Sequence, residues 1–119
     1  MKKILIVEDA SEELQLYSDM LKRENFETIE AKNGNEGLEV ALRSKPDLIL
    51  LDILMPVMDG ITMLKELKIN DATKNIPVIV LTNYSDTQKI AEAMEDGAYG
   101  YLVKIDLEKN EIADFVKFE

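Results

Sequence analysis

Four short apolar runs in this chain each end in a residue able to grip phosphate or a metal ion. Ile4–Val7 leads into Glu8 and Asp9, and Leu48–Leu51 leads into Asp52. Val78–Leu81 leads into Thr82, and Tyr101–Val103 leads into Lys104. If the runs are parallel strands, all five side chains emerge at one edge of one sheet. Open α/β sheets bind their ligands there, outside the carboxyl ends of the strands. Three carboxylates gathered without a cation repel one another. A hard divalent ion relieves that repulsion, and Mg²⁺ suits a few carboxylates completed by water and phosphate oxygens. Carboxylates, a hydroxyl and an ammonium at one point therefore describe a site for Mg²⁺ and a phosphoryl group. Taken singly, each residue has a plainer reading. Asp52 or Glu8-Asp9 would cap a turn or helix, Thr82 would end a strand, and Lys104 would be a solvated lysine.

The elements that must position these residues follow from the pattern of the chain. Ile4–Val7 is short, apolar and β-branched, as suits a strand buried on both faces. A helix is predicted from about Ser11 to Glu24, with Ser11 as N-cap, Glu12 and Glu13 in the first turn, and Leu14, Tyr17 and Leu21 on one face. Thr28–Ala31 is a weaker, alternating strand suited to an edge. A second helix runs from about Asn35 to Arg43 with Leu38, Ala41 and Leu42 inward, and Pro46 ends it. The third strand covers Asp47–Asp52, and Met55 to Gly60 reads as a loop by its Pro and Asp-Gly. Helix three presents Ile61, Leu64 and Leu67. Strand four opens after Pro77 and closes at Thr82. Asp86 caps helix four, Ile90, Ala93 and Met94 line its inner face, and Gly97 terminates it. Gly100–Lys104 is strand five, and a fifth helix starts at about Leu107 with Ile112, Phe115 and Val116 inward.

This (βα)₅ alternation predicts an α/β fold, a doubly wound parallel sheet of five strands with helices on both faces. Runs one, three and four are the most apolar, so they belong in the centre. The resulting strand order is 2-1-3-4-5, the flavodoxin-like arrangement.

Bulk composition removes several classes of function. At 119 residues the chain suits one domain. Its net charge of −10 opposes nucleic-acid phosphates and anionic membranes. With neither cysteine nor histidine, it has no disulfide framework, no thiolate zinc site, no Ser-His-Asp triad and no cysteine nucleophile. Carboxylate, amine and hydroxyl chemistry remains, which is the chemistry at the run ends. The absence of cysteine is compatible with a reducing cytoplasm. The apolar run after the two N-terminal lysines is far shorter than the ~7–15 residues of a signal peptide. No stretch approaches the ~20 apolar residues that span a bilayer.

The spacing resembles the receiver domain of two-component response regulators, of the chemotaxis-regulator type, over essentially the whole chain. The residues that carry the match are Val7-Glu8-Asp9, Leu51 to Gly60 with its D-x-x-M-P-x-M-D-G pattern, Leu81-Thr82-Asn83, and Gly97 to Lys104. The resemblance implies a phosphorylation-activated switch rather than an enzyme with a separate substrate. Asp52 would accept a phosphoryl group from a phosphohistidine on a partner. Asp9 and Asp52 would bind Mg²⁺ directly, Glu8 would act mainly through water, and the Leu54 backbone carbonyl would complete the protein ligands. Lys104 would pair with the phosphoryl oxygens and Thr82 would hydrogen-bond one of them. Tyr101 matches an aromatic position whose ring turns inward as the threonine moves toward the phosphate. The implied partners are a sensor histidine kinase or phosphotransfer protein and a downstream output domain or effector, with no direct nucleic-acid or membrane contact and a cytoplasmic location. The implied domain is residues 1–119, either whole or cut from a longer regulator.

Some positions depart from the family's usual pattern. Ile105 follows Lys104 where proline is usual, Asn83 replaces a small residue, and Tyr99 stands where an acid is common. Leu54 and Tyr84 bring no side chain suited to orienting an attacking water, so slow self-dephosphorylation is expected. Other classes fit less well. A phosphohydrolase of the haloacid dehalogenase type needs a second Asp two residues after the first, where Leu54 stands. A flavodoxin-like FMN binder needs a Ser/Thr/Gly-rich loop after strand one, where this chain is acidic. A receiver used only for docking would not need all five site groups.

Overall fold

The computed structural model describes residues 2–53, 55, 58–82 and 87–104. Five parallel strands form one sheet in the order β2-β1-β3-β4-β5. They are β1 (Lys3–Val7), β2 (Glu27–Ala31), β3 (Leu48–Asp52), β4 (Val78–Thr82) and β5 (Gly100–Val103). Among the described residues, four helices alternate with them: α1 (Ser11–Arg23), α2 (Gly34–Ser44), α3 (Gly60–Ile69) and α4 (Thr87–Glu95). The order is the one expected from the apolar runs. Both the fifth helix and the Asp86 cap fall outside the described residues.

Alternate residues of the central strands feed two cores. Leu5, Val7, Ile49, Leu51, Val78 and Val80 face one side, where Val40 and Ala41 of α2, Met63, Leu64 and Leu67 of α3, and Ala93 of α4 cover them. Ile4, Ile6, Leu48, Leu50, Ile79 and Leu81 face the other, under Leu14, Tyr17, Met20 and Leu21 of α1. Every residue of β3 and β4 is buried, whereas β2 and β5 are partly exposed. Edge strands lack a second neighbour, which is why the alternating run and the mixed run took the edges. Burying each large aliphatic side chain contributes about 1.5–3 kcal/mol, so the central strands anchor both cores.

The helix starts differ from expectation in instructive ways. Ser11 is the first residue of α1 rather than its cap; Ala10 holds the cap position, with no side-chain cap hydrogen bond. Glu8 serves this turn instead, its Oε1 accepting from the Ala10 N–H at 3.2 Å. Asn33 caps α2 through the Glu36 N–H at 2.9 Å. Asp59 caps α3 through the Thr62 N–H at 2.8 Å, so Asp59-Gly60 is a helix start and not the end of a loop. Leu42 and Met94, expected inward, are each 42% exposed. Val40 and Ala41 take the buried positions of α2, and Ala93 that of α4.

Gly60 is held where only glycine fits. A Cβ there would run into the Asp52 carbonyl oxygen and lie 2.7 Å from the Ile53 Cα, both backbone atoms with no room to give. The Gly60 N–H also donates to the Ile53 carbonyl at 2.8 Å, locking the start of α3 onto the end of β3. Gly60→Ala is expected to cost about 1–3 kcal/mol, the usual penalty for overpacking. The urea midpoint should fall accordingly; an unchanged midpoint would show that β3 and α3 can part without loss.

Candidate functional site

The register of the sheet brings the chemistry together. Val7 pairs with Leu51, and Asp52 pairs with Leu81, so the residues that follow β1, β3 and β4 emerge side by side. Thr82 pairs with Val103, which places Lys104 just past the same edge. Carboxylate oxygens of Glu8, Asp9 and Asp52 lie within 4.8 Å of one another. Glu8 and Asp52 are buried while Asp9 is exposed, so the cluster has a sealed floor and one arm in solvent. Thr82 is buried beside them at the end of β4. Tyr101, on the edge strand β5, is 46% exposed. Leu54, Asn83, Tyr84 and Ile105 lie outside the described residues, so the expectations placed on them have no structural counterpart here.

Lys104 ties the acids into one network. Its Nζ stands 3.3 Å from Asp52 Oδ2, 3.1 Å from Glu8 Oε2 and 2.9 Å from Glu13 Oε2. Burial by itself would lower the Lys104 pKa. The hydrogen bond with Glu13, then the charges of Asp52 and Glu8, outweigh it and raise the pKa above the usual lysine value. Glu8 is pushed the other way for a carboxyl, up to about 8. Burial is the main cause, followed by the charge of Asp52 and a shared hydrogen bond with it; Lys104 and the Ala10 N–H only partly offset these. A 3.1 Å ion pair calls for an ionised Glu8, whereas its burial beside Asp52 calls for a neutral one. Burial is the larger influence, so Glu8 favours its neutral form well above the usual carboxylate range while Lys104 stays charged beside it.

The donor set fits a hard divalent cation. The oxygens are close enough to share one ion, and among the described residues the buried Glu8 Oε2 has a charge contact with Lys104 but no hydrogen bond. A buried acceptor without a hydrogen bond is costly unless something positive completes it.

Two participants were not apparent in the sequence. Glu13 was legible only as a first-turn acid matched to the helix dipole. Its reach to Lys104 depends on how α1 lies across the sheet. Gly60 read as a loop glycine, although its lack of a side chain lets α3 start against the Asp52 carbonyl. The Asp-Gly pair was its only signal.

Residues 4–117 match the family described as the response regulator receiver domain. The chain belongs to that family. Receivers of this family are phosphorylation-activated switches in two-component signalling, and this one carries the acidic strand-end cluster that the fold places at its site. The receiver is 39% identical over 116 residues to the sporulation initiation phosphotransferase F of Bacillus subtilis strain 168, covering 98% of this chain and 91% of that protein. It superposes on the Vibrio cholerae chemotaxis protein CheY4 with a TM-score of 0.89 at 30% identity, covering 98% of each chain. The BeF₃-activated N-terminal receiver domain of Klebsiella pneumoniae RstA gives a TM-score of 0.85 at 30% identity, covering 97% of this chain and 96% of that one. Among the described residues, no helix of the receiver is long and apolar enough to cross a membrane.

Asp9 is the exposed arm of the cluster, and the α1 cap position carries no side-chain hydrogen bond. Asp9→Asn is therefore expected to weaken Mg²⁺ binding by at least about tenfold, the cost that even outer-shell partners of a metal carry. Without metal, removing the Asp9 charge from the acidic cluster should leave the melting temperature unchanged or slightly raised. A clearly lowered metal-free melting temperature would instead make Asp9 a helix cap. Mg²⁺ titration and thermal melts with a chelator present separate the two.

Proposed function

We propose that Asp52 is the phosphoacceptor of this receiver and that Asp9, Asp52 and Glu8 hold Mg²⁺ beside it, with the Leu54 carbonyl completing the protein ligands. The observation that carries this reading is the contact of Lys104 with both Asp52 and Glu8 at the floor of the acidic cluster. An Asp52 carboxylate oxygen attacks phosphorus, and the phosphorus–nitrogen bond of the donor phosphohistidine breaks. The leaving imidazole nitrogen keeps the electron pair and takes up a proton, leaving an acyl phosphate on Asp52. Bound Mg²⁺ would neutralise phosphoryl oxygens as charge shifts during transfer. Lys104 turns from the carboxylates to the phosphoryl oxygens, and the Thr82 hydroxyl donates to one of them. Since little covalent work falls to the protein, holding these charges in place is the main contribution.

Thr82 and Tyr101 are the switch pair. As Thr82 closes on the phosphoryl group, the ring of Tyr101 turns from its exposed position toward the space that Thr82 leaves. The altered face would be read by an output domain or effector, and the donor would be a sensor histidine kinase or phosphotransfer protein. Residues 1–119 act as one domain, in the cytoplasm, without direct contact to nucleic acid or membrane. The receiver takes part in its own dephosphorylation, slowly, since Leu54 and Tyr84 bring no group to orient water.

Intact mass after incubation with acetyl phosphate tests the reading. A gain of one phosphoryl group that requires Mg²⁺ and disappears with a chelator is expected. A gain that is indifferent to the chelator would remove the metal from the mechanism.

A further inference from the structure

Glu13 makes the shortest of the three carboxylate contacts to Lys104, at 2.9 Å against 3.1 and 3.3 Å for Glu8 and Asp52. It comes from α1, a different element from either strand end, and its side chain is 43% exposed while those of Glu8 and Asp52 are buried. The ammonium is thus held from two sides, by the floor of the cluster and by an outer arm on α1. A phosphoryl group on Asp52 would carry about −1.5 to −2 charges and three acceptor oxygens into this space. Glu13 would then both retain the ammonium that those oxygens need and repel the incoming charge.

We propose that Glu13 is a positioning residue that competes with the phosphoryl group for Lys104 and so weakens the phosphorylated state of this receiver. The proposal rests on Asp52 being the phosphoacceptor and Lys104 its phosphoryl partner. An acid at the start of α1 otherwise serves the helix dipole alone, and that role gives it no reason to depend on Lys104. Its partial exposure limits the expected size of the effect to that of a screened ion pair.

The test is the affinity for beryllofluoride, a noncovalent stand-in for the phosphoryl group, measured by tyrosine fluorescence at saturating Mg²⁺. Glu13→Gln should tighten binding about two- to fivefold. Glu12→Gln removes the same charge from the same exposed turn and should leave affinity close to wild type. In a Lys104→Gln background, where binding is weak throughout, Glu13→Gln should give no gain. Equal tightening by Glu12→Gln and Glu13→Gln would reduce the effect to net charge and overturn the proposal. A Glu13→Gln gain that persists without Lys104 would overturn it as well. If the wild-type receiver itself fails to bind beryllofluoride with Mg²⁺, the phosphoacceptor assignment falls, and the role of Glu13 falls with it.

Discussion

Asp52→Asn is expected to abolish phosphoryl acceptance while leaving the fold intact. The amide cannot supply the anionic oxygen that attacks phosphorus, so the loss should be complete on the timescale over which wild type is labelled. Folding should survive because the repulsion between Asp52 and Glu8 offsets much of what the Asp52 ion pair with Lys104 contributes. Its carboxylate lies buried beside Glu8, and its charge is one of the causes that raise the Glu8 pKa. Lys104 keeps Glu8 and Glu13 as partners when Asp52 is neutralised. The metal-free melting temperature should therefore be unchanged or higher. Intact mass after acetyl phosphate with Mg²⁺, alongside a thermal melt, reads both halves. Labelling of the variant at the wild-type level would move the phosphoacceptor elsewhere, and an unfolded variant would make Asp52 structural.

The second large effect concerns pH. Glu8 titrates near 4.5 in an unfolded chain and at about 8 in the metal-free fold. Between these values the folded protein holds a proton that the unfolded chain has released. Stability therefore falls as pH rises through that window, and the favourable contribution is fully present only below about 4.5. Metal binding runs in the opposite sense. A cation needs deprotonated carboxylates around it, so its binding should expel the Glu8 proton, and affinity should climb by up to about tenfold per pH unit until about pH 8. Mg²⁺ titrations at several pH values give the slope, and calorimetry in two buffers of different ionisation enthalpy counts the proton. Glu8→Gln should flatten both the affinity slope and the stability slope, because it removes the titrating group. An affinity that is flat across the window in wild type would mean that Glu8 is already ionised before metal arrives.

Much of this molecule is decided by pattern alone. Uninterrupted apolar runs such as Leu48–Leu51 and Val78–Leu81 have to be buried on both faces, so they take the centre of a parallel sheet. Once the strands are parallel, whatever follows each run meets at one edge, and Glu8, Asp9, Asp52, Thr82 and Lys104 follow from that. Local rules were weaker wherever tertiary contacts offered a better partner. Ser11 has the right side chain for a cap, but the Ala10 N–H finds the Glu8 carboxylate instead. Leu42 and Met94 suited an inner face on spacing, yet Val40, Ala41 and Ala93 are the residues the helices bury.

The protonation of the site belonged wholly to the tertiary structure. Glu8 and Asp9 are adjacent acids in the sequence, and nothing in their order says that one is sealed and the other open. The fold buries Glu8 against Asp52 and leaves Asp9 in solvent, so desolvation falls on Glu8. Glu13 joins Lys104 only because the packing of α1 brings its first turn within reach of the residue after β5. Patterning chooses which residues share an edge; the distances between charges, and the water excluded around them, arise only when the helices have packed.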